Sequence, residues 1–277
     1  SYIYLDDFHI TGVEELGSGV GVSVETSADN ITINNSTIES SWSYGIHKNG
    51  SSDNLTLNNT QILDSKYSGL YVTGGSNTIK INGSTIDNIQ DGYGIHLNSS
   101  NYDTLHISDS NIKNTSSNGI YVEGSYKGIH LDSVGIDTTG GFGIYSTGNY
   151  KEITLLNSSI NNTDNDGLYV NGDYATVHID SSSITNSNSH GVYSNGTFSP
   201  ITVNESVISN NEEKGVYTSG SYSLITVTSS KIENNGGSGI TSSGNYSGVI
   251  VRKSIIKNNN GHGIYSSYWP GIVDYCL

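Results

Sequence analysis

Residues 191–214 read GVYSNGTFSPITVNESVISNNEEK, and Gly215 begins the phrase again as GVYTSGSYSLITVTSSKIENNGGS. Gly239 begins it once more as GITSSGNYSGVIVRKSIIKNNNGH. The frame holds backwards through Gly167, Gly143, Gly119, Gly94, Gly69, Gly45 and Gly21, and forwards to Gly263. The spacing is 24 residues, lengthened to 25 after Gly69 and Gly94. So regular a period over nearly the whole chain points to stacked copies of one unit.

Counting from the glycine as position 0, position 1 is always branched aliphatic, from Val22 and Ile46 to Ile240 and Ile264. Positions 10 and 12 are apolar, as in Ile31/Ile33, Val177/Ile179 and Val249/Val251, with a mostly polar residue between them. Position 17 is Ile throughout, for example Ile38, Ile160 and Ile232. Alternation with period two predicts half-buried strands rather than helices. Each repeat therefore holds three short strands, separated by corners rich in Gly, Asn and Ser. Stacking such repeats pairs every strand in parallel with its copy one turn away and merges the apolar columns into one core. The expected fold is all-β: a single parallel β-helix of about eleven coils, ~50 Å long at ~4.8 Å per coil.

Three further columns belong to the corners. Position 15 is small and usually hydroxylated, as in Ser36, Thr60, Ser182 and Ser206. A corner carrying Asn88, Asn114, Asn162, Asn186, Asn210, Asn234 and Asn258 suits a left-handed backbone, with each amide bonding its own copy above and below. Gly50, Gly74, Gly124, Gly148, Gly172, Gly196, Gly220 and Gly244 mark another corner, where positive φ is expected.

On these columns the whole chain resembles the right-handed parallel β-helix repeat proteins, the pectate-lyase-like superfamily. Its Asn-, Ser- and Tyr-rich character is similar to a non-enzymatic, adhesin-like branch that includes archaeal surface-layer and sheath proteins. The resemblance implies the fold; it does not fix the activity, because that fold hosts lyases, glycosidases, adhesins and phage spikes.

Composition narrows the field. The unbroken repeat argues for one domain over 1–277: a half-coil over 1–20, ten full coils over 21–262, and a half-coil or cap over 263–277. With 11 basic against 26 acidic residues and a net charge of -15, nucleic acid is disfavoured, since its binding rests on Lys and Arg. No stretch is long and apolar enough to span a membrane. The chain has no Met, so Ser1 is expected to be a processed terminus or a fragment boundary. The single Cys, Cys276, has no internal partner.

Fourteen Asn-x-Ser/Thr patterns occur. Those expected to carry glycans are Asn30, Asn35, Asn49, Asn54, Asn82, Asn98, Asn157, Asn161, Asn195, Asn204 and Asn245, most of them at outward corners. Asn58 and Asn114 read instead as structural corner residues.

Two columns are aromatic. Position 2 holds Tyr71, Tyr121, Tyr145, Tyr169, Tyr193 and Tyr217, with His47 and His96 in the same row. Position 7 holds Tyr126, Tyr150, Tyr174, Phe198, Tyr222 and Tyr246. Stacked rings stabilise the ladder; as an exposed strip they would also serve lateral packing of rods, or a carbohydrate. His106 and His130 fall one coil apart at position 11, where solvated imidazoles are expected.

Polygalacturonase-like relatives carry an Asn-Thr-Asp, an Asp-Asp pair, a Gly-His-Gly and an Arg-x-Lys on successive coils. Asn162-Thr163-Asp164 and Gly261-His262-Gly263 are present here. No Asp-Asp follows Asp164, Asp6-Asp7 lies at the wrong end, and Arg252-Lys253 precedes the Gly-His-Gly. Paired carboxylates at a fixed gap do not assemble from this pattern. The sequence thus assigns no catalytic residue, no metal ligand and no cofactor.

The resulting expectation is a secreted or cell-surface structural protein that polymerises with its own copies into a filament, sheath or surface layer. End-to-end stacking would use Ile3, Leu5, Trp269, Ile272, Val273 and Cys276, and lateral contact would use Tyr121, Tyr145, Tyr169, Tyr193 and Tyr217. The alternative is an adhesin or carbohydrate-binding rod with a tyrosine strip for environmental or cell-surface glycans. A polysaccharide lyase or glycoside hydrolase ranks third.

Overall fold

A computed structural model describes residues 2–12, 19–25, 28–49, 54–73, 76–98, 102–124, 128–268 and 272–274. Its regular structure is all strand, with no helix among the described residues. Three parallel sheets of 12, 11 and 11 strands run side by side along the axis. The first runs from Tyr2–Asp6 to Ile272–Asp274, the second from His9–Ile10 to Ile255–Lys257, and the third from Val22–Val24 to Ile264–Ser266.

The register follows the sequence period. Ile153 pairs with Val177, Val177 with Ile201, Ile201 with Ile225 and Ile225 with Val249. At the first coil Ile3 and Leu5 pair with Ile31 and Ile33, and Ile10 with Ile38. At the last, Ile272 and Val273 pair with Ile250 and Val251, two residues short of the period. Trp269 and Cys276 lie outside the described residues.

The inward columns form one continuous core in which Ile160, Leu168, Val177 and Ile184 are fully buried. Each such side chain contributes ~1.5–3 kcal/mol through the apolar area it removes from water. The position-0 glycine exists because of this core. A side chain on Gly167 would begin 2.4 Å from Ile184 Cγ2 and 2.8 Å from the carbonyl oxygen of Gly191.

The corners differ from expectation in two respects. The asparagine corner is left-handed, with φ of 52° at Asn162 and 56° at Asn186. Its amides, however, do not all bond their own copies: Asn162 donates to Asp137 (2.9 Å) and Asn186 to Asn161 (2.8 Å), both one position earlier in the preceding coil. In the glycine corner, positive φ occurs among the described residues only at Gly124 and Gly148. Gly172, Gly196, Gly220 and Gly244 are required for close approach instead. A side chain on Gly196 would start 1.8 Å from the carbonyl oxygen of Gly172. The left-handed residue of that corner is the aromatic one two positions on, with φ of 59° at Tyr150 and Tyr174, 55° at Phe198 and 56° at Tyr222 and Tyr246.

Hydroxyl ladders satisfy the buried corner amides. Ser158 N–H donates to Ser182 Oγ, Ser182 N–H to Ser206 Oγ and Ser206 N–H to Ser230 Oγ, at 3.0, 3.0 and 3.1 Å. A second ladder runs Ala175, Ser199, Ser223, Ser247 in the same way. Lys151 holds the same position one coil before Ala175: this lysine is almost fully buried, and its Nζ donates to Ser146 Oγ (3.1 Å) and to the Thr147 carbonyl. Burial lowers its pKa from 10.5 to about 7.

Candidate functional site

Both aromatic columns form. Tyr121, Tyr145, Tyr169, Tyr193 and Tyr217 pair in register and are half-buried. Tyr121 and Tyr145 stack at 5.1 Å, while Tyr169 meets Tyr193 edge-on. Tyr121 OH donates to Glu123, and its pKa is raised by burial first and by that carboxylate second.

The position-7 column is the exposed one. Tyr150, Tyr174, Phe198, Tyr222 and Tyr246 stack at 4.8–5.2 Å with ring planes within 11° of parallel. Ring faces at that separation are turned towards one another, so the strip offers solvent its edges and hydroxyls. A sugar stacks on the face of an aromatic ring, and inside this ladder those faces are already taken.

Concavity lies on another corner, between the second and third sheets. A groove of about 720 Å³ extends across the coils from Asn88 to Glu212. One wall is the left-handed asparagine column: Asn88, Asn114, Asn162, Asn186 and Asn210. The other, two residues on, is Gln90, Ser116, Gly140, Asp164, Asn188 and Glu212. The floor is the buried residue between them, including Thr115, Thr139 and Thr163. These threonine hydroxyls donate to carbonyls two residues ahead, at 3.0, 3.2 and 2.8 Å. The left-handed turn splays positions 19 and 21 outward around an inward position 20, and repetition makes a trough of that local geometry. Read alone, the position-21 residues look like ordinary polar surface, so the trough is invisible until the two columns are seen to flank a buried one.

The remaining expected residues are dispersed. Asp164 stands on the groove wall, while His262 stacks on Tyr265 (5.5 Å) several coils further along. His106 and His130 stack at 4.9 Å. The pKa of His106 is lowered by burial first, then by His130 and Lys80.

Among the acceptor asparagines, Asn54, Asn82, Asn157, Asn161 and Asn204 use their amide nitrogen in inter-coil bonds, to Asn30, Asn58, Asp132, Asp137 and Asp180. Asn35 donates likewise to Asp6. Asn49, Asn98, Asn195 and Asn245 are exposed.

Three solved structures are similar to this chain at low identity. The catalytic unit of a thermostable GH87 alpha-1,3-glucanase from Streptomyces thermodiastaticus is 11% identical, with a TM-score of 0.43, over 95% of this chain and 64% of that one. The mannuronan C-5 epimerase AlgE4 A-module of Azotobacter vinelandii is 12% identical, with a TM-score of 0.40, over 97% and 96%. The Dettilon tailspike protein is 11% identical, with a TM-score of 0.34, over 96% and 60%. The chain thus spans less than two thirds of the glucanase and tailspike chains. A search of curated proteins gives no match. The family model described as "Right handed beta helix region" matches residues 5–134 and 141–276. On that match, which takes in nearly every coil, the chain belongs to the right-handed beta helix family.

Proposed function

We propose that this chain is an extracellular binding rod that holds a linear polysaccharide along the groove between Asn88 and Glu212, without cleaving it. The observation that carries the reading is the groove itself, with an asparagine amide on one wall at nearly every coil facing polar residues of mixed type on the other. A step of ~4.8 Å is close to the length of one pyranose unit in an extended chain. Successive sugars would therefore meet an asparagine amide at nearly every step. The lining carries Asp164 and Glu212 and no lysine or arginine. That charge favours neutral or basic glycans and repels polyuronates. Asn188 stands between the two carboxylates, and its amide donates to Asp164 (3.4 Å).

Calorimetry with neutral and acidic oligosaccharides tests this. Saturable binding of a neutral chain, weakened at least tenfold by Asn186→Ala with Asn188→Ala, is the expected result. Indifference to that double substitution would remove the groove from the account, and release of new reducing ends would remove the non-catalytic part.

A second reading, assembly of copies end to end, is favoured by a different observation. Among the described residues, Tyr2–Asp6, His9–Ile10 and Val22–Val24 pair on one side only, and an apolar cleft of about 210 Å³ opens there between Leu5, Phe8, Ile10 and Val22. Unpaired edges of this kind are templates for another strand. Electron microscopy of concentrated protein would show fibres if this holds and dispersed rods if it does not.

A further inference from the structure

We infer that a pocket beside the end of the groove binds a primary ammonium group, carried by an amino sugar of the bound glycan. The inference rests on the polysaccharide reading above for the glycan, but on separate residues for the ammonium. The pocket measures about 340 Å³ and is lined by Tyr44, Tyr67, Tyr71, Tyr93, His96 and Asp91.

Its rings do not lie as those of the exposed ladder do. Tyr44 and Tyr67 meet at 55°, Tyr71 and His96 at 37°, and Tyr93 and His96 at 58°. Tyr44 and Tyr71 stack at 4.6 Å, and the inclined rings around them leave a space open beside that pair. The cause is local. The 25-residue coil that begins at Gly69 carries its extra residue here, at Asp91-Gly92, and Tyr93 pairs with Ser68 across the bulge. Gly92 is pressed so closely on the Tyr67 carbonyl that a side chain there would overlap its oxygen. The bulge leaves the exposed Asp91 carboxylate at the pocket mouth.

Two features select the ligand. Tyrosine rings around a space attract a cation through their negative faces. Asp91, at the same pocket, adds a carboxylate. A primary ammonium answers both, whereas an acetamide has no charge. The same corner already engages one ammonium: Lys66 Nζ lies 3.7 Å from the Trp42 ring centre and 5.3 Å from that of Tyr67. Gln90 lines the groove and Asp91 is the next residue, so a glycan leaving the groove here would bring its next sugar to the pocket.

The test is calorimetric titration of the full chain with tetraglucosamine, its fully N-acetylated form and cellotetraose. Tetraglucosamine is expected to bind at least tenfold more tightly than the other two. Asp91→Asn and Tyr93→Ala should each erase that preference while leaving cellotetraose binding unchanged. Asp91 is on the surface, so its substitution keeps the test valid if Tyr93→Ala fails to fold. Equal affinity for the three tetramers, or a preference that survives Asp91→Asn, overturns the inference while leaving the groove standing. If no tetramer responds to Asn186→Ala with Asn188→Ala but glucosamine alone still binds in an Asp91-dependent way, the groove fails and the pocket stands. Binding of N-acetyl-lysine methylamide as tight as that of glucosamine overturns the assignment to an amino sugar.

Discussion

Ile160 Cγ2 lies 2.4 Å from the point where a side chain on Gly143 would begin. The carbonyl oxygen of Gly167 lies 2.5 Å from the same point. The repeat glycine is thus held by its own coil and by the next one at once. Gly143→Ala should cost ~2–3 kcal/mol, the scale of overpacking a tight core. Trimming the isoleucine with Ile160→Ala should not restore stability, because the carbonyl stays in place. Urea denaturation of the single and double variants reads both effects.

The serine ladder predicts a sharper contrast at one site. Ser206 Oγ accepts from the Ser182 amide, and that amide is buried. Ser206→Ala leaves the donor unsatisfied, which costs ~1–3 kcal/mol. Ser206→Thr keeps the acceptor, and Thr60 already occupies the equivalent place with its hydroxyl donating to the Asn58 carbonyl. Chemical denaturation should therefore rank Thr close to the parent and Ala well below it.

Phe198 combines a stacked ring with a left-handed backbone, φ 55°. Substitution by alanine removes the ring and keeps the unfavourable backbone. Substitution by glycine removes the ring and relieves the backbone, by ~1 kcal/mol. Phe198→Gly should consequently melt above Phe198→Ala, the reverse of their order in an ordinary strand.

Lys151 gives a signature in pH. Its folded pKa, lowered by burial to about 7, lies below the 10.5 of the unfolded chain. Between those values the unfolded chain holds a proton that the folded one has lost, so this group makes stability rise with pH and leaves it flat below about 7. The slope approaches ~1.4 kcal/mol per pH unit. Lys151→Met should remove it, seen as the difference between the denaturation midpoints of the two proteins from pH 7.5 to 9.5.

The winding was legible because one residue per column suffices to announce it. Gly143, Ile144, Ile153, Leu155 and Ile160 recur at fixed offsets, and each is buried or is needed for space. Corner chemistry was legible only where a side chain prefers the backbone it adopts, as Asn162 does. Tyr174 gives no such sign, since aromatic residues seldom adopt positive φ. Glycine two positions earlier drew the expectation to itself, although Gly172 is there to clear the Gly148 carbonyl, 1.8 Å from where a side chain would start. The groove escaped notice because its walls are made of residues whose types say nothing singly. The pocket at Tyr93 gave no sign because Tyr44, Tyr67 and Tyr93 fall outside both aromatic columns.

One consequence of the in-register pairing concerns length. Each residue touches mainly its counterparts one turn away, so the molecule has no element on which all the others depend. Excising residues 191–214 would bring Gly167 and Gly215 into adjacent turns, with every column rejoined to a like neighbour. Excising half as many would set isoleucine against corner and serine against core throughout the remainder. A chain made this way can be shortened or extended by whole turns far more readily than it can be shifted in phase.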